Sequence, residues 1–111
     1  MNYKFISYPV FTSELKRLGK KYRSLRADVE KLAEELAKNP LLGDDMGNGF
    51  RKIRMAISSK GRGKSGGARV ITLNVLISQD ESSIGFFYIY DKSEKTNITT
   101  KELHTIMKRS F

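Results

Sequence analysis

The densest chemistry in this chain lies in one short stretch, Lys60-Gly61-Arg62-Gly63-Lys64-Ser65-Gly66-Gly67-Ala68-Arg69. Four glycines let the backbone approach a phosphate closely and leave its amides open. Four cations at short intervals neutralise phosphate charge. Gly63-Lys64-Ser65 looks like the second half of a nucleotide-binding P-loop, but the first glycine of that motif falls on position 58, which is Ser58. The segment also joins two strand-like runs rather than a strand and a helix, so a nucleotide hydrolase is excluded.

The charge balance extends the same theme. The chain has 21 Lys and Arg against 12 Asp and Glu, a net charge of +9. No acidic residue occurs between Asp45 and Asp80, a stretch holding Arg51, Lys52, Arg54, Lys60, Arg62, Lys64 and Arg69. Such a field attracts a polyanion and speeds its association. From Lys16 to Glu35 both signs interleave, as on an ordinary solvated helix surface.

Dense cations with sparse acids restrict the chemistry available. No paired carboxylates flank the basic segment, which weighs against a two-metal nuclease. The chain has no cysteine and one histidine, His104, so no metal site and no cofactor are expected. If the polyanion is RNA, cleavage without metal remains open. A 2′-hydroxyl attacks the adjacent phosphate, which needs a proton acceptor, stabilisation of extra negative charge and a proton donor for the leaving 5′-oxygen. Arginine suits the middle task, because its planar fork matches phosphate and stays charged. A lysine crowded by other cations suits the first, and tyrosine or lysine the last. Tyr90, Lys92 and Lys95 complete such a site if the last strand neighbours the loop.

The elements that must position these groups are legible in the periodicity. A chain of 111 residues is read as one domain spanning 1–111, long enough to bury a core without staples. Lys4 to Tyr8 reads as a first strand ended by Pro9. Phe11, Leu15, Leu18, Tyr22, Leu25, Val29, Leu32 and Leu36 follow at alternating spacings of four and three, a helical apolar stripe. Gly19 divides it, so two helices are expected, roughly 12–19 and 22–38, with Thr12 or Ser13 as the first cap. Lys38-Asn39-Pro40 ends the second. A turn-rich stretch runs from Leu42 to Gly49. Phe50 to Ile57 alternates, with Ile53, Met55 and Ile57 on one face and Phe50, Lys52 and Arg54 on the other. Strands follow at 69–77 and 84–90, joined through Asp80-Glu81-Ser82-Ser83. Thr99 or Thr100 caps a last helix through Arg109. The order β-α-α-β-β-β-α predicts a small two-layer α+β fold, an antiparallel sheet on a helical hairpin with a C-terminal helix.

No apolar run reaches the length of a membrane span. The segment from Met1 to Pro9 is too short and polar for a signal peptide, so no membrane contact and a cytosolic location are expected.

These residues resemble the RelE/HigB family of toxins from bacterial type II toxin–antitoxin modules, over nearly the whole chain. The likeness begins at Tyr8-Pro9-Val10-Phe11-Thr12-Ser13-Glu14-Leu15-Lys16-Arg17-Leu18 and continues to Asn39-Pro40-Leu41-Leu42-Gly43. Its most specific part is Phe50-Arg51-Lys52-Ile53-Arg54 followed by Lys60 to Ile71, similar to the Lys-Gly-x-Gly-Lys-x-Gly-Gly-x-Arg segment of the HigB-like branch. Tyr88-Ile89-Tyr90-Asp91-Lys92-Ser93-Glu94 looks like that branch's Ile-Tyr-x-Lys-x-Glu. The resemblance implies a toxin that enters the ribosomal A site and cleaves translated mRNA without metal, inhibited by a cognate antitoxin. It implies the ribosome and mRNA as partners, and operator DNA only through the antitoxin complex. The family's catalytic cations map onto Lys60, Arg62, Lys64, Arg69 and Lys92. RNA contacts fall to Lys52, Arg54, Gly61, Gly63, Tyr90 and Lys95. Where better-known members carry a tyrosine or histidine near the C-terminus as acid or base, this chain has His104 and no tyrosine after Tyr90. The related ParE branch shares the scaffold and inhibits DNA gyrase by binding. It stands as the alternative, beside a basic nucleic-acid-binding module without catalysis.

Overall fold

The computed structural model describes residues 2–110. In chain order the elements are β1 (Asn2–Ser7), α1 (Pro9–Lys21), α2 (Leu25–Lys38), β2 (Asp44–Gly47), β3 (Phe50–Met55), a 3-10 turn (Ser58–Lys60), β4 (Ala68–Ser78), β5 (Glu81–Asp91) and α3 (Thr100–Ser110). The five strands form one sheet in the order β1-β5-β4-β3-β2. No helix among the described residues is long and apolar enough to cross a membrane.

The α+β class and the element order stand as read from the sequence, with β2 as an added strand. Three details differ. The sheet is mixed, because β1 runs parallel to β5 from Asn2↔Glu81 to Ser7↔Phe86. β1 leads straight into α1, which crosses the sheet and makes the parallel return possible. The two expected layers become helices on both faces. Phe11, Leu18, Leu25, Val29, Leu32 and Leu36 of α1 and α2 pack on Ile53, Met55, Ile57, Ala68, Val70, Phe86 and Ile89. Leu103 of α3 and Ile98 pack on Phe50, Ile71, Leu73, Phe87 and Tyr90 from the other side. β5 also carries a bulge. Ile71 pairs with Tyr88 and Thr72 with Phe86, so Phe87 is an extra residue. Phe86 then faces Phe11 at 5.2 Å, while Phe87 faces Tyr8 at 5.5 Å and Phe50 at 5.2 Å.

The third difference lies in the helical hairpin. α1 begins at Pro9, whose fixed φ and missing N–H suit the first helical position. Thr12 falls inside the first turn, its hydroxyl donating to the Tyr8 carbonyl at 3.3 Å. Gly19 is helical, and the break falls at Tyr22, whose extended backbone (φ −123°, ψ 103°) ends the helix. For α3 the cap is Thr99. Its Oγ1 accepts from the Glu102 amide at 3.1 Å, and Glu102 Oε1 accepts from the Thr99 amide at 3.2 Å, a reciprocal capping box.

Candidate nucleic-acid interface

The cationic loop leaves the 3-10 turn at Lys60 and enters β4 at Ala68. Gly61 (φ +72°) and Gly63 (φ +62°) adopt left-handed backbone, which a side chain disfavours. Gly67 has no room for one: a Cβ there would lie 2.2 Å from the Met55 carbonyl oxygen. The segment after β5 closes the loop from above, with the Lys92 amide donating to the Gly67 carbonyl at 3.0 Å.

β4 then sets the register. Arg69 stands opposite Arg54 on β3 and opposite Tyr90 on β5. Paired residues share a face, so the three side chains form one row on the α3 face. The Arg69 guanidinium is nearly buried, at 6% exposure. Its Nη1 donates to the carbonyls of Lys64 at 2.9 Å and Ala68 at 3.1 Å, which ties the loop to the sheet. Directly opposed like charges destabilise a strand pair. Among the described residues no carboxylate lies within 4.0 Å of Arg54, Arg62, Lys64 or Arg69. Arg54, Arg62 and Lys64 are exposed. Uncompensated cations at a glycine-rich backbone have the chemistry to hold a phosphate-bearing ligand.

Residues 10–110 match the family model described as the RelE toxin of the RelE/RelB toxin–antitoxin system. The chain belongs to the RelE toxin family. It is therefore the toxin component of a toxin–antitoxin module, with an antitoxin as partner. No curated protein matches the chain.

Within this RelE-family chain the other site residues named from the sequence are placed unevenly. Lys60 parts company with the loop cations. Asp91 pairs across the sheet with Ala68, and Ala68 with Met55, which puts it on the hairpin face. Its carboxylate is fully buried. It accepts from Lys60 Nζ at 2.8 Å, Tyr22 Oη at 2.5 Å, Ser93 Oγ at 2.7 Å and the Ser93 amide at 2.9 Å. Lys21 Nζ adds a longer contact at 3.8 Å. Burial pushes the Asp91 carboxyl up, and the hydrogen bonds from Lys60, Tyr22 and Ser93 outweigh it, holding the group well below the usual carboxylate range. Lys60 thus holds a buried anion, and its ammonium is not turned to the Arg54–Arg69 face.

Tyr90 is 3% exposed, and burial raises its phenol above the ordinary value against the opposing pull of Arg69 and Lys95. Lys95 is paired with Glu102, which raises its ammonium. Lys52 Nζ donates to Asn97 Oδ1 at 3.1 Å, and Lys92 Nζ donates to the Thr96 carbonyl. These contacts tie the segment between β5 and α3 to the rim of the site. His104 stands apart. Its Nε2 lies 3.3 Å from Asn48 Nδ2 beside Phe50, four residues down β3 from Arg54, which at about 3.3 Å per residue is roughly 13 Å.

Two features leave no trace in the residue pattern. One is Asp91, an ordinary strand-end acid by pattern. The other is a groove of about 410 Å³ between α2 and the edge of β3, lined by Asp28, Lys31, Lys52, Arg54 and Lys64 among others. It exists because β2 pairs with β3 only as far as Lys52, leaving the outer edge of Ile53 to Met55 uncovered. No local signal marks the length of a short polar strand.

Proposed function

We propose that this toxin is a metal-independent endoribonuclease that enters the ribosomal A site and cleaves the message being translated. The observation that carries the reading is the Arg54–Arg69 pair, two arginines in register on adjacent strands with no carboxylate within 4.0 Å of either among the described residues. A scissile phosphate offsets their repulsion, and the offset grows as the phosphorane gains a second negative charge. The 2′-hydroxyl attacks phosphorus, the P–O5′ bond breaks, and a 2′,3′-cyclic phosphate and a 5′-hydroxyl result. Arg69 is fixed by its two backbone acceptors, so it is already aimed when the substrate arrives. Arg54, Arg62 and Lys64 supply further charge from the exposed side. In this reading Lys64 and Lys92 are the candidates to pass protons, and Tyr90 packs beside Arg69 in the same row. Lys60 acts through Asp91, by fixing the base of the loop.

The test is translation of a short reporter message in vitro, with message ends mapped by primer extension. Wild-type protein is expected to give discrete cuts in the ribosomal A site that are absent from naked message and from the Arg69→Ala reaction. An intact message with normal translation would overturn the reading and direct the work to a gyrase supercoiling assay.

A further inference from the structure

Outside the loop, one group of uncompensated charges lies at the corner between α1 and α2. Lys20, Arg23 and Arg26 are exposed there, and no carboxylate comes within 4.0 Å of them among the described residues. In the sequence these cations belong to an interleaved helical surface. The structure moves them against the cationic loop. Ser24 Oγ accepts from the Ser59 amide at 2.8 Å and lies 2.9 Å from Ser59 Oγ. Asp28 Oδ1 accepts from Ser58 Oγ at 2.5 Å, and its Oδ2 accepts from the Ser58 amide at 3.0 Å and from Ser24 Oγ at 2.8 Å. The corner and the turn that starts the loop are therefore clamped together. The one acid at the junction spends both oxygens on the clamp.

A second observation concerns the helix itself. Arg26 is the second residue of α2, and Arg23 lies just before the helix. The amino end of a helix carries partial positive charge and disfavours cations. Ser24, at the capping position, makes no bond to the helix amides, because its hydroxyl serves the clamp. Folding alone does not select arginine here, whereas a polyanion on the outer surface does.

We propose that Lys20, Arg23 and Arg26 form a second RNA-backbone contact, beside the turn that starts the cationic loop and separate from the chemistry. This rests on the RNA reading above and adds where the affinity resides. The phosphates come either from the message beyond the scissile bond or from the RNA of the ribosome.

The test compares wild type with the triple variant Lys20→Ala, Arg23→Ala, Arg26→Ala. Binding is measured by fluorescence anisotropy to a naked message fragment and to purified ribosomes without message, each across a salt series. Three lost phosphate contacts are expected to weaken binding on the order of tenfold to a hundredfold and to flatten the log–log salt slope by about two. Loss with the message fragment assigns the phosphates to the message, and loss with ribosomes assigns them to ribosomal RNA. The melting temperature of Arg26→Ala is expected to match or exceed that of wild type, which separates weakened binding from misfolding. Unchanged affinity and slope with both probes would overturn the proposal. So would a triple variant that binds both RNAs normally and escapes only its antitoxin, since the corner would then face protein. Wild-type protein that binds RNA and never cuts would overturn the nuclease reading alone, because the corner is judged on affinity.

Discussion

Lys60 lies between Arg54 and Arg69 in sequence, yet its ammonium and those two arginines serve opposite faces of one sheet. On the hairpin face, Lys60 and Lys21 meet the buried Asp91, with Tyr22 and Ser93 completing its shell. On the α3 face, Arg69 pairs in register with Arg54, and no acid among the described residues answers either. The first cluster is satisfied within the chain and the second is not. Composition treats all these cations alike. Whether a charge holds the fold or awaits a ligand is decided by which face of β4 and β5 it reaches.

The comparison breaks most severely at Asp91. Replacing it with alanine leaves Lys60 beside an empty site, and loss of one partner of a buried pair costs about 3–5 kcal/mol. Chemical denaturation of Asp91→Ala is expected to show that loss, and the variant loses RNA cleavage with it. Arg69→Ala is expected to do the reverse. Stability changes modestly, while A-site cleavage in the translation assay falls about a hundredfold or more, the usual effect of removing one fixed donor to a transition-state anion. Arg54→Ala should cut cleavage less, by about tenfold, and raise stability by a few tenths of a kcal/mol as the opposed charges separate. A stability gain without any loss of cleavage would remove Arg54 from the site.

pH sharpens the same contrast. The folded Asp91 carboxyl lies below its unfolded value, so its stabilisation is complete above about pH 4 and fades as pH falls toward the depressed value. Urea titrations of wild type and Asp91→Asn are therefore expected to differ most at neutral pH and to converge in acid. A constant gap across the range would deny Asp91 its role. The smallest effect is expected at Thr99→Ala, which removes half of the α3 capping box. It should cost about 1 kcal/mol in thermal melts and leave cleavage intact.

Much of this architecture is visible in the residues. The apolar stripe from Phe11 to Leu36 marks the hairpin, and nearly all of those side chains reach the core. The alternation of Phe50 to Ile57 places Ile53, Met55 and Ile57 in the core, as the structure does, but gives no sign that Phe50, on the charged face, is buried beneath α3. What stays hidden is long-range. Nothing near Asp44 announces β2, because a short polar strand has no periodicity to detect. The parallel pairing of β1 with β5 and the bulge at Phe87 depend on partners far away in sequence. The loop is plain as a cationic, glycine-rich segment. The commitment of Lys60 to Asp91 is not, because it joins positions 31 apart through a fold that must already exist.

That parallel strand also sets an order of events during synthesis. Asn2 finds its partner at Glu81, 79 positions later, and the loop is closed only by the amide of Lys92. Contacts of such separation form late, and a growing chain gains about 5–20 residues per second. β3 and β4 can pair as soon as both are made, but the first strand must wait for the fifth. The nascent chain therefore spends several seconds with its first strand unpaired and its phosphate site unfinished. The loop and the first strand therefore reach their final arrangement only after the fifth strand has been made.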